Sequence, residues 1–156
     1  MKVGEIQNDV YFMESGILRG FFIDTNGREQ TDCIRYQCGT VAMPWGELMQ
    51  VLSSMTIEML EKGSFFCVPM PLLASLQNTC IEAAHFYNRL LISTLNEHME
   101  QKRALIQYDT AQRYQWFQEK FPGIIERINN KYVASFLNMA PETLSRLRNA
   151  HHIKNS

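Results

Sequence analysis

The stretch KYVASFLNMAPETLSRLRN, Lys131 to Asn149, decides how the chain is read. Two short apolar-patterned segments lie on either side of Asn138, and the second opens on Pro141. A helix over Asn130–Leu137 has to stop at Asn138, because Asn tolerates the left-handed conformation that a sharp exit needs. Pro141 has no N–H and a preset φ, which suits the first turn of a second helix, expected over Pro141–Ala150. Val133, Leu137, Met139, Leu144 and Leu147 can then all turn inward. Ala134 is small, as required where two helices cross closely. This is the pattern of a helix-turn-helix.

With Leu144 and Leu147 inward, Glu142, Thr143, Ser145, Arg146 and Asn149 fall on the outer side of the second helix. A helix fits the major groove of double-stranded DNA, and its N-terminal residues reach the base edges. Arg146 is suited to donate twice to a guanine, and Glu142 to accept from cytosine N4. Thr143, Ser145 and Arg148 suit phosphates, whose contacts fix register more than sequence. The plainer alternative is an amphipathic helical hairpin with a solvated charged face. Charge weighs against it. Residues 110–156 carry 7 Lys+Arg and 3 Asp+Glu, a net of +4, whereas residues 1–109 carry 8 and 13, a net of −5. An excess of this kind points the C-terminal part toward an anionic partner.

Upstream, Asp109 or Thr110 is a good N-cap, with Gln112 placed for a capping box on Asp109. The helix TAQRYQWFQEKFP that follows stops before Pro122-Gly123, and Tyr114, Phe117 and Phe121 form its core face. A unit boundary is expected near Asp109. Before it, Leu73 and Leu76 suit a short helix. A long helix of some 27 residues comes next, with a stripe through Ile81, Ala84, Tyr87 or Asn88, Leu91, Leu95, His98 and Met99. At about 40 Å it exceeds what a small barrel can cover. A second copy of the chain is therefore expected on Ile81, Ala84, Tyr87, Leu91, Leu95 and Met99, against the alternative that the helix folds wholly onto its own domain.

The first third reads as short strands. Asp24-Thr25-Asn26-Gly27 is a strong hairpin signal, because Asn-Gly adopts positive φ easily. After it Thr31, Cys33 and either Ile34 or Tyr36 alternate with Gln30, Asp32 and Arg35. A short helix is expected over Glu47–Leu52, then strands over Thr56–Leu60 and Ser64–Val68 with Lys62-Gly63 between them. Many short strands with regular turns mark a small barrel or jelly roll.

The 156 residues are 46% hydrophobic and 20% charged, which fits one or two small globular domains. No apolar run is long enough to span a bilayer and no signal segment opens the chain, so a cytoplasmic protein without membrane contact is expected. Cys33, Cys38, Cys67 and Cys80 show no paired spacing and are expected to be buried free thiols; neither a metal nor a cofactor is expected. No Ser/His/Asp or Cys/His set occurs at a recognisable spacing. His85 and His98 are expected to pack or meet an interface, and an enzyme is not expected.

At these residues the chain resembles the Crp/Fnr family of bacterial transcription regulators. DVYFMESGILRGFFIDTNGRE resembles the family's cyclic-nucleotide-binding β-roll, and the long helix its dimerisation helix. RYQWFQEKFPGIIERINNKYVASFLNMAPETLSRLRN resembles a subgroup whose DNA-reading helix carries a Pro-Glu-Thr-Leu-Ser-Arg core. The resemblance covers nearly all of the chain. It implies an α+β fold: a partial jelly-roll β-roll over 1–72, a long dimerisation helix region over 73–108, and a helix-turn-helix domain over 109–156. It also implies a homodimer on palindromic double-stranded DNA, with an effector of unknown identity. Glu142 and Arg146 match the base-reading positions, and Thr143 a backbone-contact position.

Three departures from the family pattern shape the expectations. The chain begins where the family's roll is already under way, so either the start is truncated or the roll is incomplete, with an uncovered edge open to pairing. Gly46-Glu47 matches the start of the cyclic-nucleotide motif, but no Arg or Lys occurs between Glu47 and Lys62 to neutralise a cyclic phosphate, and cyclic AMP binding is not expected. The sequence ends at AHHIKNS without the family's β-wing, so DNA affinity is expected to be modest and strongly salt-dependent. His151 and His152 are expected to be exposed and inert. The alternative to a regulator is a protein-interaction or remnant module that keeps the fold.

Overall fold

Two three-stranded antiparallel sheets carry the N-terminal half of the computed structural model, which describes residues 2–6, 8–42, 52–53 and 55–154. The strands are β1 (Asp9–Met13), β2 (Ile17–Ile23), β3 (Glu29–Arg35), β4 (Val41–Ala42), β5 (Thr56–Glu61) and β6 (Phe65–Pro69). One sheet runs β4-β1-β6 and the other β3-β2-β5. The β2–β3 hairpin closes where the Asn-Gly signal predicts: Gly27 takes φ 76°, and the Asp24 carboxylate accepts the N–H groups of Asn26 and Arg28. Thr31, Cys33 and Ile34 are buried, with Gln30, Asp32 and Arg35 less so. At the turn before β6 the chain passes so close to Ser15 that a Cβ on Gly63 would sit 2.0 Å from the Ser15 carbonyl oxygen. Only glycine fits there. The expected helix over Glu47–Leu52 lies outside the described residues except for Leu52, which pairs with Ile6 in an isolated bridge.

Six helices follow: α1 (Met70–Thr79), α2 (Ile81–Gln107), α3 (Thr110–Lys120), α4 (Ile124–Arg127), α5 (Asn130–Phe136) and α6 (Pro141–Lys154). Asp109 and Gln112 form the expected capping box at the start of α3. The single turn α4, which sequence patterning does not single out, is entered through Gly123 in the left-handed region at φ 74°. Both α5 and α6 start where expected, and α6 runs on to Lys154 instead of stopping near Ala150.

The largest apolar cluster joins the two halves of the chain. Ile17 and Ile34 of the β3-β2-β5 sheet pack with Tyr114, Phe117, Ile124, Val133, Phe136, Leu137 and Leu144 of the helices. Phe117 stacks on Phe121 with ring centroids 4.8 Å apart, and both meet Phe136 edge-on. A second cluster sets Tyr87 of α2 against Val10, Met70 and Leu73. The cysteines are free thiols, but only Cys33 is buried: Cys38 sits in an exposed turn and Cys67 on the outer face of β6, so their expected burial does not hold.

Candidate nucleic-acid interface

The turn between α5 and α6 sets the candidate site. Asn138 takes φ 50°, the left-handed conformation expected of it, and the Met139 N–H donates back to the Ala134 carbonyl at 3.0 Å. Ala134, Val133, Leu137 and Leu144 are fully buried, so the crossing of α5 and α6 is close and dry. Arg113 of α3 supplies a tie that sequence reasoning did not reach. Its Nη1 donates to the carbonyls of Leu137 (2.8 Å) and Asn138 (3.1 Å), satisfying acceptors that the end of α5 leaves open. Burial pushes the Tyr114 phenol above its ordinary range, with Arg148 pulling the other way.

With the turn pinned, one side of α6 faces outward. Glu142, Ser145, Arg146 and Asn149 are exposed, while Thr143 and Arg148 are half-buried. Arg146 Nη2 lies 3.4 Å from the Thr143 hydroxyl, to which it donates. Arg148, expected on a phosphate, donates through Nη1 to the Asn130 side-chain oxygen and ties α6 to the start of α5.

α5 is tied to the sheet. The Thr31 N–H donates to Ser135 Oγ at 2.8 Å, and the Ser135 hydroxyl donates to the Glu29 carbonyl at 3.1 Å. Gln30 Nε2 donates to the Ser135 carbonyl, so α5 covers the edge of β3. Beside this contact Arg19 of β2 is only 1% exposed. Its guanidinium is paired with Glu29 and Glu58 and sandwiched between the rings of Phe21 (4.1 Å) and Tyr132 (3.9 Å). A buried charge needs such partners, and stacking on two rings suits the planar guanidinium. Arg127 of α4 adds a two-pronged bond to Glu61 of β5, which holds that carboxyl below its ordinary range.

On α2 the expected stripe divides. Tyr87 is buried and Leu91 half-buried against the chain's own sheet and α1, and Ala84 is half-buried. Ile81, Leu95 and Met99 are exposed. They belong to an outward row, Ile81, His85, Asn88, Ile92, Leu95, Met99, Lys102 and Ile106, in which every residue is exposed. The steps alternate four and three, the heptad spacing of a coiled-coil seam. Ile92 and Ile106, at 59% and 71% exposure, complete that row and are absent from the expected set.

A β-roll joined by a long helix to a helix-turn-helix is the architecture of Crp/Fnr-type transcription regulators, and the solved structures bear this out as fold. FixK2 from Bradyrhizobium japonicum superposes with a TM-score of 0.85 at 16% identity, over 99% of this chain and 79% of that one. TTHB099, a CRP-family transcriptional regulator from Thermus thermophilus, gives 0.76 at 17% identity over 99% and 80%. The c-di-GMP-responsive regulator CLP of Xanthomonas campestris gives 0.72 at 13% over 99% and 82%. No family model matches the chain, and no curated protein matches it. Among the described residues no helix is long and apolar enough to cross a membrane, and no group of three or more His, Cys, Asp or Glu is placed to hold a metal ion.

Proposed function

We propose that this chain is a Crp/Fnr-type DNA-binding transcription regulator, a homodimer joined along α2 whose two α6 helices enter successive major grooves. The observation that carries it is the outward side of α6: Glu142, Ser145, Arg146 and Asn149 open to solvent over a fully buried Leu144. Two copies joined along the heptad row of α2 would present two readers, as a palindromic site requires. The fold shared with known regulators supports this. Cyclic AMP is not its effector, since the segment between Glu47 and Lys62 offers no cation for a cyclic phosphate. Gly46 and Glu47 themselves lie outside the described residues.

Selection of duplexes from a random-sequence pool tests this. The expected product is a palindrome with half-sites about one helical turn apart, the same with and without cyclic AMP. Recovery without sequence preference would refute specific readout. A chain that light scattering shows to be monomeric would favour the interaction module instead.

A further inference from the structure

A groove of about 650 Å³ separates the tip of the β2–β3 hairpin from the start of α6. Asp24, Arg28 and Glu29 line it on the hairpin side, and Lys131, Asn138 and Glu142 on the reader side. Its carboxylates are unequal. Glu29 is neutralised by Arg19, and Asp24 accepts the N–H groups of Asn26 (2.8 Å) and Arg28 (2.9 Å). Glu142 is the candidate base reader. The groove's cations are Arg28, exposed on one wall and acting on the Asp24 carboxylate, and Lys131, exposed on the other with its ammonium 4.7 Å from the centre of the Tyr132 ring.

We propose that the β2–β3 hairpin is itself part of the DNA-contacting surface. The groove receives one sugar–phosphate strand of the duplex, with Arg28 and Lys131 on its phosphates, while α6 occupies the adjoining major groove. This rests on α6 being the reader. A helix lying in a major groove about 12 Å wide has a phosphate strand along each flank. Glu142 and Arg28 border the same space, so a strand beside Glu142 comes within reach of the hairpin. The two walls are fixed before DNA arrives. The Asp24 N–H donates to the Arg28 carbonyl (2.9 Å) and the Gly27 N–H to the Asp24 carbonyl (3.0 Å), which stiffens the tip. Ser135 and the Arg19–Tyr132 stack then hold α5 against the same hairpin. The backbone that carries Arg28 is fixed in this way, and its exposed guanidinium has the planar fork that suits a phosphate.

The test uses the full chain and the duplex recovered by selection, with binding followed by fluorescence anisotropy across a salt series. Arg28→Gln and Lys131→Gln should each flatten the slope of log affinity on log salt by about 0.9 for every phosphate no longer neutralised, or roughly twice that for a dimer. Sequence preference should stay unchanged. Arg28→Lys should keep most of the slope. Arg28 is at an exposed tip, so an unaltered melting curve confirms that a weaker slope is not misfolding. Unchanged affinity and slope in Arg28→Gln, with wild-type recognition intact, overturns this inference alone. Tighter binding by Arg28→Gln also overturns it, and shows the hairpin obstructing the duplex. A wild-type chain that recovers no duplex overturns the assignment of α6 and, with it, the role given to the hairpin.

Discussion

α2 and α5 are both amphipathic, yet their burial differs sharply. The 27 residues of α2 bury only Tyr87 and Ala104, whereas the seven of α5 bury Val133, Ala134 and Phe136. Their ends differ too. α5 is capped by the Asn129 side chain, while α2 starts at Cys80 with no side-chain cap. The short helix is completed by its own chain: α6 crosses it, Arg113 closes its end, and β3 lies alongside. The long helix has one side on its own sheet and a second apolar row turned outward. A helix stabilised mainly by tertiary packing needs that row covered.

The sharpest way to break the contrast is Ile92→Glu with Leu95→Glu. Four carboxylates would then meet in the seam of a dimer, and light scattering is expected to show monomers throughout the micromolar range while far-UV circular dichroism still shows helix. A dimer that survives would put the interface off this row. Phe117→Ala strikes the other region. It opens a cavity among Phe121, Phe136 and Leu144 and should cost about 3–5 kcal/mol in chemical denaturation. A change well under 1 kcal/mol would mean that the helices collapse around the gap and that their packing is less specific than it looks. The smallest effect is expected from Asp109→Ala, which removes one half of the capping box on α3 and should cost about 1 kcal/mol. The same denaturation curves measure it.

What was legible in the sequence is local chemistry. Asn138, Pro141 and the Asp109–Gln112 pair act over one to three residues, so the starts of α3 and α6 and the turn that ends α5 are placed from residue type alone. The row on α2 was half legible. A helix apolar on two sides gives a broad stripe, and periodicity cannot say which edge meets the chain's own sheet. Tyr87 and Leu91 therefore stand beside Leu95 in the expected set, which leaves out Ile92 of the outward row. Arg19 was the least accessible. Its position within ILRGFFI signals a buried charge that needs partners, but Glu58 is 39 residues away and Tyr132 lies in α5, in the other half of the chain. Arg113 and Ser135 likewise act on backbone groups far along the chain, where no spacing rule applies.

The cover that α5 places over β3 also bears on biosynthesis. Residues 29–31 reach the ribosome exit long before Ser135, from which they are 104 to 106 positions distant. At typical elongation rates that interval is roughly 5–20 s. For that time the nascent β2–β3 ribbon has an unsatisfied border. Pulse-labelled chains stalled short of residue 135 should therefore be the ones that chaperones hold.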